Sequence, residues 1–364
     1  MLIKDVIAHM ESLAPLAYAE GYDNVGLLVG NKNTALTGVL ITHDTLEEVV
    51  DEAIAKKCNL IVSFHPIIFS GIKKFNGQDY VNRVVIKAIK HDIAIYAIHT
   101  ALDNVQHGVN STICNQLQLS NRSILIPKKE FIYKLTTYVP VKEAENVRTA
   151  LFNVGAGNIG NYDHCSFNIL GEGTFKGNEQ STPHVGQKGK LHTENEIQLN
   201  ITFEKQLKPK ILHALFTNHP YEEVAYEITE LANTYQKIGL GMIGELETPM
   251  DELEFLAFLK DKMHTESIRH SKLLGKTIKK IAVLGGSGAS AITQAKNSGA
   301  DVYVTSDLKY HDFYQAENRI LLCDIGHYES EQYTKSLLYE FLSKKLPNFA
   351  IVLSVINTNP VNYF

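Results

Sequence analysis

Three histidines follow three separate apolar runs in this chain, and two of them are succeeded by a carboxylate four residues later. His65 follows residues 60–64 (LIVSF), His99 follows 93–98 (IAIYAI) and His327 follows ILLCDIG. Asp103 comes after His99 in HTALD, and Glu331 comes after His327 in HYESE. Imidazole and carboxylate are ligands of zinc, iron and manganese. On a helix, residues four apart share a face, and Leu338 and Leu342 would turn the face of His327 and Glu331 inward. That pair makes half of a divalent-metal site. His65 and Asp103, from neighbouring strand ends, can supply the other half, with His99 as a further candidate. One histidine after a strand is most often a cap or a satisfied buried group. Three at corresponding strand ends point to a shared site.

Asp307 and His311 form a second such pair after VYVT. They are candidates for catalytic proton transfer or for supporting the metal ligands, with an ordinary charged surface helix as the alternative. IAVLGGSGASA carries G-x-G-x-x-A at Gly286, Gly288 and Ala291, after a strand and before a helix. Asp307 lies about 20 residues on, which is the context of a dinucleotide fingerprint. A helix N-terminus there would also suit a substrate phosphate, while any tight turn favours glycine. Asp23, Asn24 and Gly26 read as a turn or as part of the site rim. His219, Pro220, Tyr221, Glu222 and Glu223 read as a structural boundary, with ligand binding as the alternative. The chain contains no G-x-S-x-G, Walker A or Cys–His nucleophile pattern.

In open parallel sheets, ligands sit beyond the carboxyl ends of the strands. The apolar runs 39–42, 60–64, 93–98, 281–284, 302–305, 320–323 and 351–355 predict such strands, with helices at 46–57, 80–91 and 109–117. The fold class expected is α/β, a mostly parallel sheet with helices on both faces, built from residues 1–128 and 240–364. Residues 129–239 differ. A half-buried strand at 131–139 precedes a helix opened by Pro140 and running to 153. Strands at 164–170 and 196–203, a helix at 209–218 and a strand from 224 complete βαββαβ, an inserted ferredoxin-like (α+β) domain. Residues 171–194 are expected to form a long exposed loop.

The 364 residues suggest about two domains. A hydrophobic share of 44% with 21% charged residues supports a packed core and excludes disorder as the main state. The net charge of −5 does not favour nucleic-acid binding. No apolar run reaches the roughly 20 residues of a membrane span. The start, MLIKDVIAHMESLAP, reads as an amphipathic helix and not a signal peptide. Cys58, Cys114, Cys165 and Cys323 are scattered without C-x-x-C, as expected of a cytoplasmic protein.

The stretches YDNVGLLVG, SFHPIIFSGIKKF, AIHTALDN, LGGSGAS, TSDLKYHDF and DIGHYESE together resemble the Nif-three-like family, also called GTP cyclohydrolase 1 type 2 homologues. VPVKEAENVRTALFNVGAGNIGNYDHCSF and NHPYEEVAYEI are similar to the PII/CutA-like insert of longer members. The resemblance implies a dinuclear centre, with two divalent cations per subunit held by His65, Asp103, His327 and Glu331. It also implies a toroidal homohexamer whose sites face an internal cavity, with the inserts over the ring openings. Where the family usually has two adjacent histidines before the proline, this chain has Phe64 and His65. Phe64 cannot ligate, so one ion loses a ligand that His99 could replace. The function expected is a metal-dependent hydrolase acting on a small, nucleotide-like substrate through an activated water. The alternatives are a non-catalytic metal-binding ring or a small-molecule-sensing regulator. A nicotinamide-dependent oxidoreductase would rest on G-x-G-x-x-A alone, and a role in transcription on the family's name alone.

Overall fold

Strands made wholly of apolar and β-branched residues need cover on both faces. In the computed structural model, which describes all 364 residues, Val39 and Ile41 face one core while Leu40 faces another. Leu60 and Val62 divide from Ile61 in the same way, as do Val302 and Val304 from Tyr303. Each fully buried aliphatic side chain of this kind contributes about 1.5–3 kcal/mol relative to exposure.

The strands in chain order are β1 (Gly26–Val29), β2 (Val39–Thr42), β3 (Leu60–Ser63), β4 (Ala94–Ala97), β5 (Ser120–Lys128), β6 (Ile132–Pro140), β7 (Phe167–Phe175), β8 (His192–Glu204), β9 (Tyr226–Leu231), β10 (Tyr235–Asp251), β11 (Arg269–His270), β12 (Thr277–Ser287), β13 (Val302–Ser306), β14 (Leu321–Asp324) and β15 (Ile351–Leu353). They belong to two compact units: Met1–Pro127 with Gln236–Phe364, and Lys128–Tyr235.

The first unit is mixed α/β and holds two sheets where one was expected. One has the order β1-β4-β3-β2-β15, with β4, β3, β2 and β15 parallel and β1 antiparallel at the edge. The other has the order β11-β14-β13-β12-β10-β5, in which β12, β13 and β14 are parallel while β10 runs antiparallel to β12 and β11 antiparallel to β14. A shared core lies between the sheets, and each sheet has a second core on its outer face. This accounts for apolar runs at both ends of the chain without requiring them to pair with each other. Helix Ile3–Leu13 buries Ile3, Val6 and Met10 in the shared core, a spacing of three and four that puts them on one face. Helices Glu47–Ala55 and Tyr80–Lys90 cover the outer face of the first sheet. No helix is long and apolar enough to cross a membrane.

In the second unit β6, helix Ala144–Asn153, β7, β8, helix Lys208–Asn218 and β9 follow one another. The sheet has the order β7-β8-β6-β9 and every pair is antiparallel. Val147, Leu151, Ile211 and Leu215 pack with Leu135, Val139, Leu199 and Ile201. Two sequence expectations fail locally. Pro140 does not open a helix. It ends β6 opposite Glu196, a strand-end position that tolerates a missing N–H. Residues 171–175 are not loop, because the ladder continues from Gly171 opposite Glu196 to Phe175 opposite His192.

Candidate metal centre

The carboxyl ends of β2, β3 and β4 carry His43 and Asp44, His65, and the short helix His99–Asp103. The carboxyl ends of β13 and β14 carry Asp307 and the short helix His327–Glu331. These strand ends meet at Glu331, which is 3% exposed. Its Oε2 lies 3.2 Å from His327 Nε2, 3.3 Å from His65 Nε2 and 3.4 Å from His43 Nε2. The Nε2 atoms of His65 and His327 are 3.5 Å apart.

The opposite nitrogen of each ring is held by a carboxylate. His65 Nδ1 donates to Asp44 Oδ1 at 2.8 Å, and His43 Nδ1 donates to Asp44 Oδ2 at 2.9 Å. His327 Nδ1 donates to Asp307 Oδ2 at 2.6 Å, and His99 Nδ1 donates to Asp23 Oδ1 at 2.8 Å. Thr358 Oγ1 donates to Asp44 as well, at 2.7 Å. A carboxylate at Nδ1 selects the tautomer whose Nε2 lone pair is free to ligate, and it raises the basicity of that nitrogen.

The charges are interdependent. Burial opposes ionisation of Glu331, yet His327, His43 and His65 hold its pKa well below the ordinary value. Burial would lower the pKa of His65, but Asp44 and Glu331 push it up to about 9. Burial acts likewise on His327, and Asp307 and Glu331 push that ring up to about 11. Asp103 goes the other way: burial and then the charge of Glu331 raise its pKa well above the ordinary value. Asp103 Oδ1, His43 Nε2 and Glu331 Oε2 are buried with no hydrogen-bond partner. Unsatisfied buried acceptors are costly. His65, His327 and Glu331 bring three ligand atoms within 4.8 Å of one another, which fits a divalent cation.

The backbone is strained where this site is assembled. His99 has φ of 29° and Asp307 has φ of 57°, left-handed values that cost about 1–3 kcal/mol in a non-glycine residue. Gly286 has φ of 69°, and a Cβ there would sit 2.4 Å from Glu331 Oε1. A Cβ on Gly288 would sit 1.9 Å from Thr305 Oγ1. The glycines of G-x-G-x-x-A thus have a packing reason beneath Glu331 and against β13. The helix that follows, Ile292–Asn297, has only six residues.

Of the residues singled out in the sequence, His65, His327 and Glu331 come together directly. Asp103 is coupled to them through the charges of Glu331 and His65. The His99 ring centroid is 5.1 Å from that of His65 and 5.6 Å from that of Phe64. Phe64 is fully buried, 5.4 Å from His43. Asp307 reaches His327, but His311 does not join it. The left-handed φ of Asp307 precludes a continuous helical register, and the 3-10 helix Tyr310–Ala316 begins only afterwards. His311 is exposed against Tyr310 and Tyr314. Asp23 orients His99 and accepts from Thr100, while Asn24 donates to the carbonyl of Ile68 and Gly26 begins β1. In the second unit His219 is a turn residue: Nε2 donates to the Tyr138 carbonyl and Nδ1 accepts from the Tyr221 N–H.

Sequence reasoning missed His43 and Asp44. Their signal was the same as that of His65, an apolar run (VLIT) ending in histidine. A cavity of about 530 Å³ opens onto the site, and its walls include His43, His65, Asp307, His327 and Arg269.

Residues 1–360 match the family model described as Duf34/NIF3 (NGG1p interacting factor 3). A Bacillus subtilis protein named GTP cyclohydrolase 1 type 2 homolog is 38% identical over 370 residues, covering 99% of this chain and 98% of that protein. The crystal structure of a Bacillus cereus protein related to NIF3 superposes with a TM-score of 0.86 at 37% identity, covering 100% of this chain and 99% of that one. A Staphylococcus aureus crystal structure gives a TM-score of 0.79 at 32% identity over the same shares.

Proposed function

The chain belongs to the Duf34/NIF3 family, and from that premise we propose that it is a divalent-metal-dependent hydrolase of small, nucleotide-like substrates. The observation that carries this reading is the approach of three Nε2 atoms to Glu331 Oε2 within 3.2–3.4 Å. His65, Asp103, His327 and Glu331 hold the cations in this reading, with His99 at the edge. We read two cation positions. Phe64 gives no donor to the second, and His43 offers one from the adjacent strand end. A divalent cation in such a site lowers the pKa of a bound water toward neutrality and polarises a carbonyl or phosphoryl oxygen.

The protein groups have separate tasks. Asp44, Asp23 and Asp307 hold the Nδ1 protons of His43 and His65, His99, and His327. Burial and the charge of Glu331 favour the protonated form of Asp103 when no cation is present. Arg269, 59% exposed on the cavity wall and paired with Asp324, presents positive charge to an anionic substrate. His65 and His327 remain 20% and 39% exposed, which favours a site open to substrate over one closed for metal storage. The name of the B. subtilis relative makes GTP the first substrate to test.

The same reading takes residues 129–239 as a ferredoxin-like, PII/CutA-like insert in a domain formed by 1–128 and 240–364. The strand order β7-β8-β6-β9 with both helices packed on one face supports it. The family resemblance supports a toroidal homohexamer, and the scattered, unpaired cysteines suit the cytoplasm.

Metal content per chain, measured by mass spectrometry on protein purified without added metal, tests the reading. We expect about two equivalents, lost in His327→Ala, and hydrolysis of GTP or p-nitrophenyl phosphate that follows metal content. A wild-type protein that retains no metal after zinc, iron and manganese are added back overturns it. Full loading with no metal-dependent turnover of any nucleotide shifts the reading to a non-catalytic metal-binding protein.

A further inference from the structure

The second unit has a cavity of its own, about 890 Å³, within the range of small-molecule sites. The helices pack against one face of its sheet through Leu135, Val139, Leu199 and Ile201. Alternation along the strands sends Tyr138, Glu196 and Gln198 to the other face. There Gly171 pairs opposite Glu196, and Ile169 pairs opposite Gln198. These residues line the cavity. Residues 176–184 and 221–223 form its outer wall, joined by a hydrogen bond from the Thr182 N–H to Glu222.

Glu196 is the anomaly. A glutamate on the helix-free face of a sheet is normally solvated, yet this one is 7% exposed. Its Oε1 accepts from the Tyr221 hydroxyl at 2.8 Å. Its Oε2 has no protein partner, and the carboxylate pairs with no lysine, arginine or histidine. Strand β7 makes room for it, since a Cβ on Gly173 would lie 2.1 Å from Oε2. The carboxylate thus keeps one oxygen open to the cavity with no counter-charge in the protein, a place that a cation can occupy. The rest of the wall has the same sign: Glu222 and Glu223 outnumber Lys176. Tyr138, Ile169, Phe175 and Tyr221 add apolar and aromatic surface, which suits a cation carried on an apolar body.

We propose that this cavity binds a small organic cation, an amine or guanidinium on an apolar or aromatic body, with the Glu196 carboxylate as its counter-charge. Charge selects the ligand and the aromatic wall holds its body. The site does not depend on the metal centre. Binding there would make the insert a small-molecule sensor whatever the other unit catalyses.

Isothermal titration of the full-length protein tests this, with phenethylamine and agmatine as cationic probes and phenylacetate as the anionic control. We expect saturable binding of at least one cation and none of phenylacetate. Glu196→Gln should weaken the cation by at least about tenfold, the loss of one charged hydrogen bond. Gly171→Phe should abolish binding by filling the cavity. A Cβ at Gly171 meets nothing within 4 Å, so this variant keeps the backbone. Circular dichroism and thermal unfolding that match the wild type show that the second unit is folded in both variants. Absence of saturable binding by both cations, equal binding of phenylacetate, or undiminished affinity in Glu196→Gln overturns the proposal. So does displacement of the cations by zinc alone at this site, since the site would then be for a metal.

Discussion

Asp44 Oδ1 accepts the Nδ1 proton of His65 at 2.8 Å, and the same ring presents Nε2 to Glu331 Oε2 at 3.3 Å. Asp44 holds His43 as well, so one carboxylate sets the orientation of two candidate ligands. Asp44→Ala should therefore lower metal affinity by about 10–100-fold, with the circular dichroism spectrum retained. Competition against a chelator of known affinity measures this. An unchanged affinity would mean that the rings are held by packing alone.

Asp307 and His311 should separate in mutagenesis. Asp307→Asn replaces the charged acceptor of the His327 Nδ1 proton with a neutral amide and should weaken metal binding, again by about tenfold or more. His311→Ala, at an exposed position against Tyr310 and Tyr314, should leave metal content and affinity unchanged. If His311→Ala lowers metal content as much as Asp307→Asn, the two residues belong to one site after all.

Metal binding should release protons. Without a cation, His65 and His327 titrate near about 9 and about 11, so both rings are protonated at neutral pH. A cation at Nε2 must displace those protons, and its affinity should rise with pH up to about 9 and beyond. The stability of the metal-free protein should move in the opposite direction. The raised pKa values contribute stability that is fully present below the ordinary value of 6.5 and lost as pH rises through about 9 and then about 11. Calorimetry in buffers of different ionisation enthalpy measures the protons released. No dependence on the buffer at pH 7 would contradict the linkage.

Gly286→Ala should damage the metal centre from beneath. The new Cβ meets Glu331 Oε1, and the φ of 69° is unfavourable for alanine. We expect a loss of about 1–3 kcal/mol in urea unfolding together with reduced metal content. Alanine tolerated without loss of either would free Gly286 from this packing role and return the glycine motif to other readings.

Much of this site was legible in the sequence because strand ends are locally encoded. LIVSF reads as a strand buried on both faces, and the polar residue after it, His65, then emerges at the strand end. The same logic reaches His99, Asp103, His327 and Glu331. Applied to VLIT, it would also have reached His43. It failed at His311, because spacing four residues apart implies contact only if the backbone stays helical, and Asp307 is left-handed. It failed at Pro140 because a proline fits a strand end as well as a helix start, and only the pairing partner distinguishes them.

Chain order and residue type thus determined which strand ends carry imidazole and carboxylate, the family, and a middle stretch of different character. Tertiary structure alone decided that the apolar runs form two sheets around a shared core, and so which strand ends face one another. His65 and His327 are 262 residues apart, yet their Nε2 atoms are 3.5 Å apart. Hydrophobic periodicity specifies the direction of a side chain relative to its own strand. It carries no information about the position of a second sheet, which follows from packing over the whole core.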